Sequence, residues 1–139
     1  MSTYVREKVL RIPMQHIDMS RINNVLVEKH GNYEDDYSYY LEEEFSDLFD
    51  YGSVGKFQLA PTIDSYIDYV LDYEWDADGE YGKTRALYDS EKVKYAPVFQ
   101  RIDPDINMDY VRLVEFCWYN CSEAPDYYDN ENDSFYDEV

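Results

Sequence analysis

Two stretches of the chain place apolar residues on a 3.6-residue period. In residues 35–50, Tyr37, Tyr40, Leu41, Phe45, Leu48 and Phe49 fall at i, i+3, i+4, i+8, i+11 and i+12, one face of a helix. Asp36, Glu43, Asp47 and Asp50 fall on another face of that helix, and Gly52 and Gly55 end it. In residues 62–75, Ile63, Tyr66, Ile67, Val70, Leu71 and Trp75 form the apolar stripe, with Pro61 and Thr62 as a start signal. Asp64, Asp68 and Asp72 recur every four residues opposite that stripe, and Asp76 continues the row. The spacing predicts two helices, each with a carboxylate side.

The rest of the pattern is more strand-like. Residues 4–17 mix Val5, Val9, Leu10, Ile12 and Ile17 with bases and end near Pro13, which suggests a strand, possible at a sheet edge. Asp18 or Ser20 can cap a short helix carrying Ile22, Val25 and Leu26 toward Gly31, which stands where a C′ glycine belongs. Residues 83–94 read as a turn and a short helix or strand. Residues 93–102 have strand composition, with Pro97 marking an edge or a break, and Asp103-Pro104-Asp105 is a turn. Residues 110–119 are the most apolar stretch and read as a central strand, with a buried helix as the alternative because Val111, Val114 and Trp118 also fit that period. The expected fold is α+β: two or three helices on one face of a small antiparallel sheet built from the N-terminal, 93–102 and 110–119 segments. Residues 1–122 form one domain, and 123–139 an acidic, aromatic tail.

Composition changes this picture in one respect. With 139 residues, 45% hydrophobic and 18% aromatic, the chain can bury a core and does not have a disordered composition. Its formal charge of −19, however, far exceeds the roughly 2–8 units that keep a small domain dissolved. The charge is uneven: +2 over residues 1–30, −14 over 31–80, 0 over 81–115 and −7 over 116–139. From Glu34 to Glu80 there are fifteen acids and a single base, Lys56, with tyrosines interleaved. A solvating charge would be spread evenly; this one points to a negative surface with a use. Such a surface repels nucleic acid and anionic membrane.

No apolar run approaches the length of a membrane span, and Arg6, Glu7, Lys8 and Arg11 interrupt any signal-peptide core. Cys117 and Cys121 alone make no disulfide scaffold, so a reduced, cytoplasmic protein is expected.

Motifs for chemistry fail one by one. Glu74 to Gly79 sets acids at positions 1, 3 and 5 and glycine at 6 of a calcium loop, but position 12 is Arg85 where a glutamate is required. The two cysteines with only His16 and His30 elsewhere make a poor zinc set. Gly52-Ser53-Val54-Gly55-Lys56 lacks the spacer and the hydroxyl residue of a phosphate loop. There is no serine elbow or HExxH, and no carboxylate pair stands out as an acid and base. The expectation is a protein without catalytic residues, metal or cofactor.

What remains is imitation. Carboxylates four apart on a helix lie about 6 Å apart along its axis, commensurate within side-chain reach with DNA phosphates at about 3.4 Å of axis per strand. In its acidic, tyrosine-rich stretches 34–80 and 123–138, the chain resembles the DNA-mimic inhibitors of phages and mobile elements, the anti-restriction and anti-CRISPR proteins. The resemblance implies a non-enzymatic inhibitor acting in the host cytoplasm on a basic nucleic-acid-binding protein, a Cas nuclease or restriction enzyme. The alternative is an acidic module for a basic protein unrelated to nucleic acid. The partner-binding residues expected are Asp36, Glu42, Glu43, Asp47, Asp50, Asp64, Asp68, Asp72 and Asp76, with Tyr69 and Tyr73 beside them. On this reading Asp64, Asp68 and Asp72 can all be reversed to lysine without loss of folding.

Overall fold

The N-terminal strand β1 (Tyr4–Pro13) is the axis of the molecule. Its alternation puts Leu10 and Ile12 on one face and Val5, Val9 and Arg11 on the other. Strands β3 (Tyr66–Trp75) and β5 (Arg112–Tyr119) flank it, and short β2 (Phe57–Leu59) and β4 (Thr84–Ala86) form the edges. The order is β2-β3-β1-β5-β4 and every pairing is antiparallel. The computed structural model describes residues 4–61, 65–75 and 84–119. Among the described residues there are three α-helices: α1 (Ser20–His30), α2 (Tyr37–Glu44) and α3 (Asp89–Phe99). The α+β class expected from the sequence is correct.

All three helices pack on one face of the sheet. Ile22 and Leu26 of α1, Leu41 of α2 and Phe99 of α3 join Leu10, Ile12, Ile67 and Leu113 in one core. Phe57 lies 5.2 Å from Phe99, ring to ring, and 5.0 Å from Tyr69. The opposite face carries a second apolar cluster, Val5, Val9, Val70, Val114 and Phe116, all buried. The sheet is thus apolar on both sides.

Two of the expected elements are wrong, and each has a physical reason. Residues 62–75 do not form a helix: 66–75 are strand β3, and 62–64 lie outside the described residues. A strand buried on both faces has no polar side, so alternation disappears and the apolar residues fall in adjacent pairs. A bulge strengthens the disguise: Val9 pairs with Val70 but Lys8 pairs with Asp72, leaving Leu71 as the extra residue. The stretch is built of Tyr, Ile, Val and Trp, which prefer strands. Residues 93–102 do not form a strand either; α3 covers most of them. Pro97 is tolerated one turn from the helix end, where the bond it removes is to the carbonyl of Val93, a residue 76% exposed.

The start of α3 is secured by a reciprocal cap. The Glu91 N–H donates to the Tyr88 carbonyl at 3.0 Å, and the Tyr88 N–H donates to Glu91 Oε1 at 2.8 Å. Arg85 grips the same carboxylate with both guanidinium nitrogens at 2.7 and 2.9 Å and lies over the Tyr88 ring. Arg85 first, then the Tyr88 amide, holds the Glu91 carboxyl down to about 2 from the ordinary 4.5. A folded-state pKa below the unfolded one gives stability that is complete above pH 4.5 and lost as pH falls toward about 2. Acid titration followed by circular dichroism should show a loss of about 1 kcal/mol in that window, absent in Glu91→Gln.

The remaining expectations are met in part: β1 stands at the centre of the sheet and not at its edge, and α1 starts after Met19, which makes no side-chain cap, so neither Asp18 nor Ser20 is the N-cap residue. Gly31 ends α1 with a positive φ of 70°, and its N–H donates to the Val27 carbonyl. β5 is an interior strand, beside the central β1. The helix expected over 35–50 is shorter: a 3-10 turn at Glu34–Asp36 leads into α2, and residues after Glu44 turn back toward β2. The tail from 123 lies outside the described residues.

Candidate functional site

The acids of residues 34–50 and those of β3 meet opposite fates. In β3 the strand period would keep residues four apart on one face, but the bulge at Leu71 sends Asp68 and Asp72 to opposite faces. Asp68 is fully buried. Its two carboxylate oxygens accept bonds from Arg11 Nε at 2.7 Å and Nη2 at 3.0 Å, and the same guanidinium lies 4.7 Å over the Phe116 ring. It is a structural ion pair, not a partner-binding acid. Beside it, buried Glu7 accepts a bond from Gln58 Nε2 at 2.8 Å. Asp72 is exposed but stands opposite Lys8, and Glu74 opposite Arg6, whose guanidinium is 3.6 Å away. The β3 acids are therefore matched by the bases of β1. Asp64 and Asp76 lie outside the described residues.

The tyrosines expected beside this row are also reassigned. Tyr69 packs into the core against Phe57 and Phe99, and Tyr73 lies against the second apolar cluster and stacks on Trp75.

Residues 34–50 present a different surface. Glu34, Asp35, Asp36, Glu43, Asp47 and Asp50 are all exposed. Asp36, Tyr39 and Glu43 fall at i, i+3 and i+7, a single stripe in which Tyr39 is 62% exposed. Lys56, the one base of the region, does not neutralise these carboxylates: its ammonium donates to the main-chain carbonyls of Asp47 at 2.9 Å and Ser46 at 3.4 Å. Asp47 has a loose contact with Arg101 at 3.4 Å, and Asp50 accepts a bond from the Ser53 hydroxyl at 2.5 Å. Two acids of α2 are structural. Glu42 accepts the Tyr51 N–H at 2.7 Å and so ties the following loop to the helix. Glu44 is held by Lys29 at 2.7 Å and His30 at 3.0 Å, and this pairing lowers its pKa and raises that of Lys29.

The loop after α2 folds over the edge of β3. The Gly52 N–H donates to Gln58 Oε1 at 2.8 Å, the Gly55 N–H to the Val70 carbonyl at 2.9 Å. Gly52 has φ +70°, and a Cβ there would meet the Tyr73 ring at 3.1 Å. Gly52→Ala therefore combines a left-handed backbone with a crowded ring and should cost about 1–2 kcal/mol in chemical denaturation. An unchanged midpoint would show that the loop can shift off Tyr73.

Between the 3-10 turn at Glu34–Asp36, α2 and the β2–β3 connection lies an open cleft of about 400 Å³, lined by Met14, Glu34, Tyr37, Ser38, Tyr51 and Leu59 among others. Tyr37 donates its hydroxyl to Asn23 Oδ1 at 2.8 Å, and burial pushes its phenol up to about 12. Burial of the hydroxyl, then the nearby Glu7 carboxylate, also pushes the Tyr51 phenol upward. Both rings stay neutral at any physiological pH. Sequence reading missed this cleft because Glu34, Tyr37 and Tyr51 meet only through the turn after α2.

Among the described residues one group of possible metal-binding side chains comes together: ligand atoms of His30, Glu43 and Glu44 lie within 4.8 Å of one another. Its internal bonds are those of the Lys29–Glu44–His30 clasp, and His30 stacks on Tyr40 at 3.8 Å, so the cluster is explained as a tie between α1 and α2. Cys117 is buried, and no described helix is long and apolar enough to cross a membrane. Comparison with known proteins gives no matching family model, no matching curated protein and no matching solved structure.

Proposed function

We propose that the protein is a non-enzymatic inhibitor that occupies the nucleic-acid-binding groove of a nuclease by imitating DNA phosphates. A Cas effector is the first target to test, a restriction enzyme the second, in the host cytoplasm. The observation that carries the reading is the surface of residues 34–50: Asp35, Asp36, Glu43, Asp47 and Asp50 are exposed, Arg101 approaches only Asp47, and Lys56, the one base within residues 34–80, is turned to main-chain carbonyls. Like charges so close work against folding, so a chain selected for folding alone would have interspersed bases. Basic nucleic-acid grooves recognise their ligand mainly through phosphate charge, and a fixed row of carboxylates meets the same requirement. Exposed Tyr39 within the row adds contact area at small entropic cost.

The test is competition. The protein is mixed with an RNA-guided nuclease or a restriction enzyme, and DNA binding and cleavage are followed as salt is raised from about 50 to about 200 mM. Mimicry predicts loss of DNA binding, with inhibitor affinity falling at least about tenfold across that range. Exposed Tyr39 amid carboxylates also suits an arginine-rich protein with no nucleic-acid role. Tight binding to such a protein, with no effect on any nuclease of the panel, would establish that second reading instead.

A further inference from the structure

The cleft beside the acidic surface has the walls and the charge of a receptor for one particular side chain. Two tyrosines, Tyr37 and Tyr51, line it with the apolar Met14 and Leu59, and Glu34 is the one carboxylate among its lining residues. Glu34 is exposed and forms no ion pair with any described base; its own N–H donates to Asn32 Oδ1. The volume, about 400 Å³, lies within the range of roughly 300–1,000 Å³ found for specific ligand sites. Asp35 and Asp36 stand exposed in the same turn as Glu34, and their charge concentrates cations at the mouth.

We propose that this cleft receives an arginine side chain of the basic partner, its guanidinium paired with Glu34 and stacked against Tyr51 and Tyr37, its methylene stem on Met14 and Leu59. The proposal rests on the reading that the partner is a basic protein and identifies where one of its side chains anchors. Arginine fits better than lysine for three reasons. A guanidinium is planar and can lie flat on a tyrosine ring, it can bond a carboxylate through two N–H groups, and it is less strongly hydrated than an ammonium. Phosphate mimicry by the exposed row supplies long-range attraction and little orientation; a side chain seated in a walled cleft fixes the register of the complex.

The anchor can be tested without knowing the partner. The isotope-labelled protein is titrated with N-acetyl-arginine methylamide and separately with the lysine analogue, and amide shifts are followed by NMR. Saturable shifts are expected at Glu34, Tyr37, Ser38, Tyr51 and Ser65, with arginine binding about fivefold tighter than lysine. Glu34→Gln should weaken arginine binding about tenfold and Tyr51→Leu about fivefold. Glu34 is exposed and Tyr51 only partly so, and unchanged spectra away from the cleft check that each variant keeps the fold. Shifts spread evenly over the acidic surface, equal response to both probes, or indifference to both substitutions would each overturn the proposal. Nuclease competition on the same samples separates the two readings. A wild-type protein that inhibits nothing yet binds arginine in the cleft removes the nuclease target alone. One that inhibits while the titration fails removes the cleft alone.

Discussion

Asp68→Ala is expected to destabilise the protein by about 3–5 kcal/mol, the cost of leaving a buried guanidinium without its carboxylate. A domain of this kind has about 5–15 kcal/mol in total, so the variant should unfold in the cold room's mildest urea or near physiological temperature. Arg11 and Asp68 are both fully buried, and their two bonds at 2.7 and 3.0 Å join the central strand to β3. Reversal to lysine is worse still, because it sets two cations together in the interior. The surface reading of Asp68 required the reversal to be harmless, so the experiment separates the two directly. Urea denaturation measures it, and a loss under about 1 kcal/mol would mean that water reaches the pair. The double variant Arg11→Met with Asp68→Leu removes both charges and is expected to recover most of the loss.

Reversing three exposed acids does the opposite. Asp36→Lys, Glu43→Lys and Asp47→Lys together should leave the denaturation midpoint unchanged or raised, because they relieve like-charge crowding on residues 34–50. If the mimicry proposal holds, partner affinity falls by about a hundredfold or more, since three attractions to a basic groove become three repulsions worth several kcal/mol together. Titration calorimetry against any nuclease that the competition experiment identifies reads the loss, and the salt dependence should flatten with it. A folded triple variant that still inhibits fully would move the interaction surface off residues 34–50.

These two variants mark how far the sequence could be read. The charge asymmetry, the α+β class, the first helix with its Gly31 cap and the interior strand at 112–119 were all legible, because one-sided burial and cap chemistry leave local signatures. The carboxylate row of residues 64–76 was legible only as spacing. Spacing of four satisfies a helix and a strand alike, and the bulge at Leu71 then parts Asp68 from Asp72. No local pattern announces that Asp68 finds Arg11, 57 residues away, or that Lys8 and Arg6 stand across from Asp72 and Glu74. Glu42 ties down the loop at Tyr51, whereas Asp36, Glu43, Asp47 and Asp50 are exposed as expected, for the converse reason. They sit on a short amphipathic helix and the turns around it, where local sequence decides which side meets water.

The placement of β1 at the centre of the sheet has a kinetic consequence. Among the described strands, the earliest in the chain pairs with the latest: Leu10 lies opposite Leu113, 103 residues later. At about 5–20 residues per second, the nascent strand waits on the order of 5–20 s before its second partner exists. Folding dominated by such distant pairings is slow, in the range of milliseconds to seconds even once synthesis ends. During that wait β1 is an unpaired edge, the form most prone to join a neighbouring chain. Arg6, Lys8 and Arg11 interrupt its apolar run at three positions, and charged residues set into a strand discourage such pairing. The bases that later face Glu74, Asp72 and Asp68 thus guard the strand before those partners have been made.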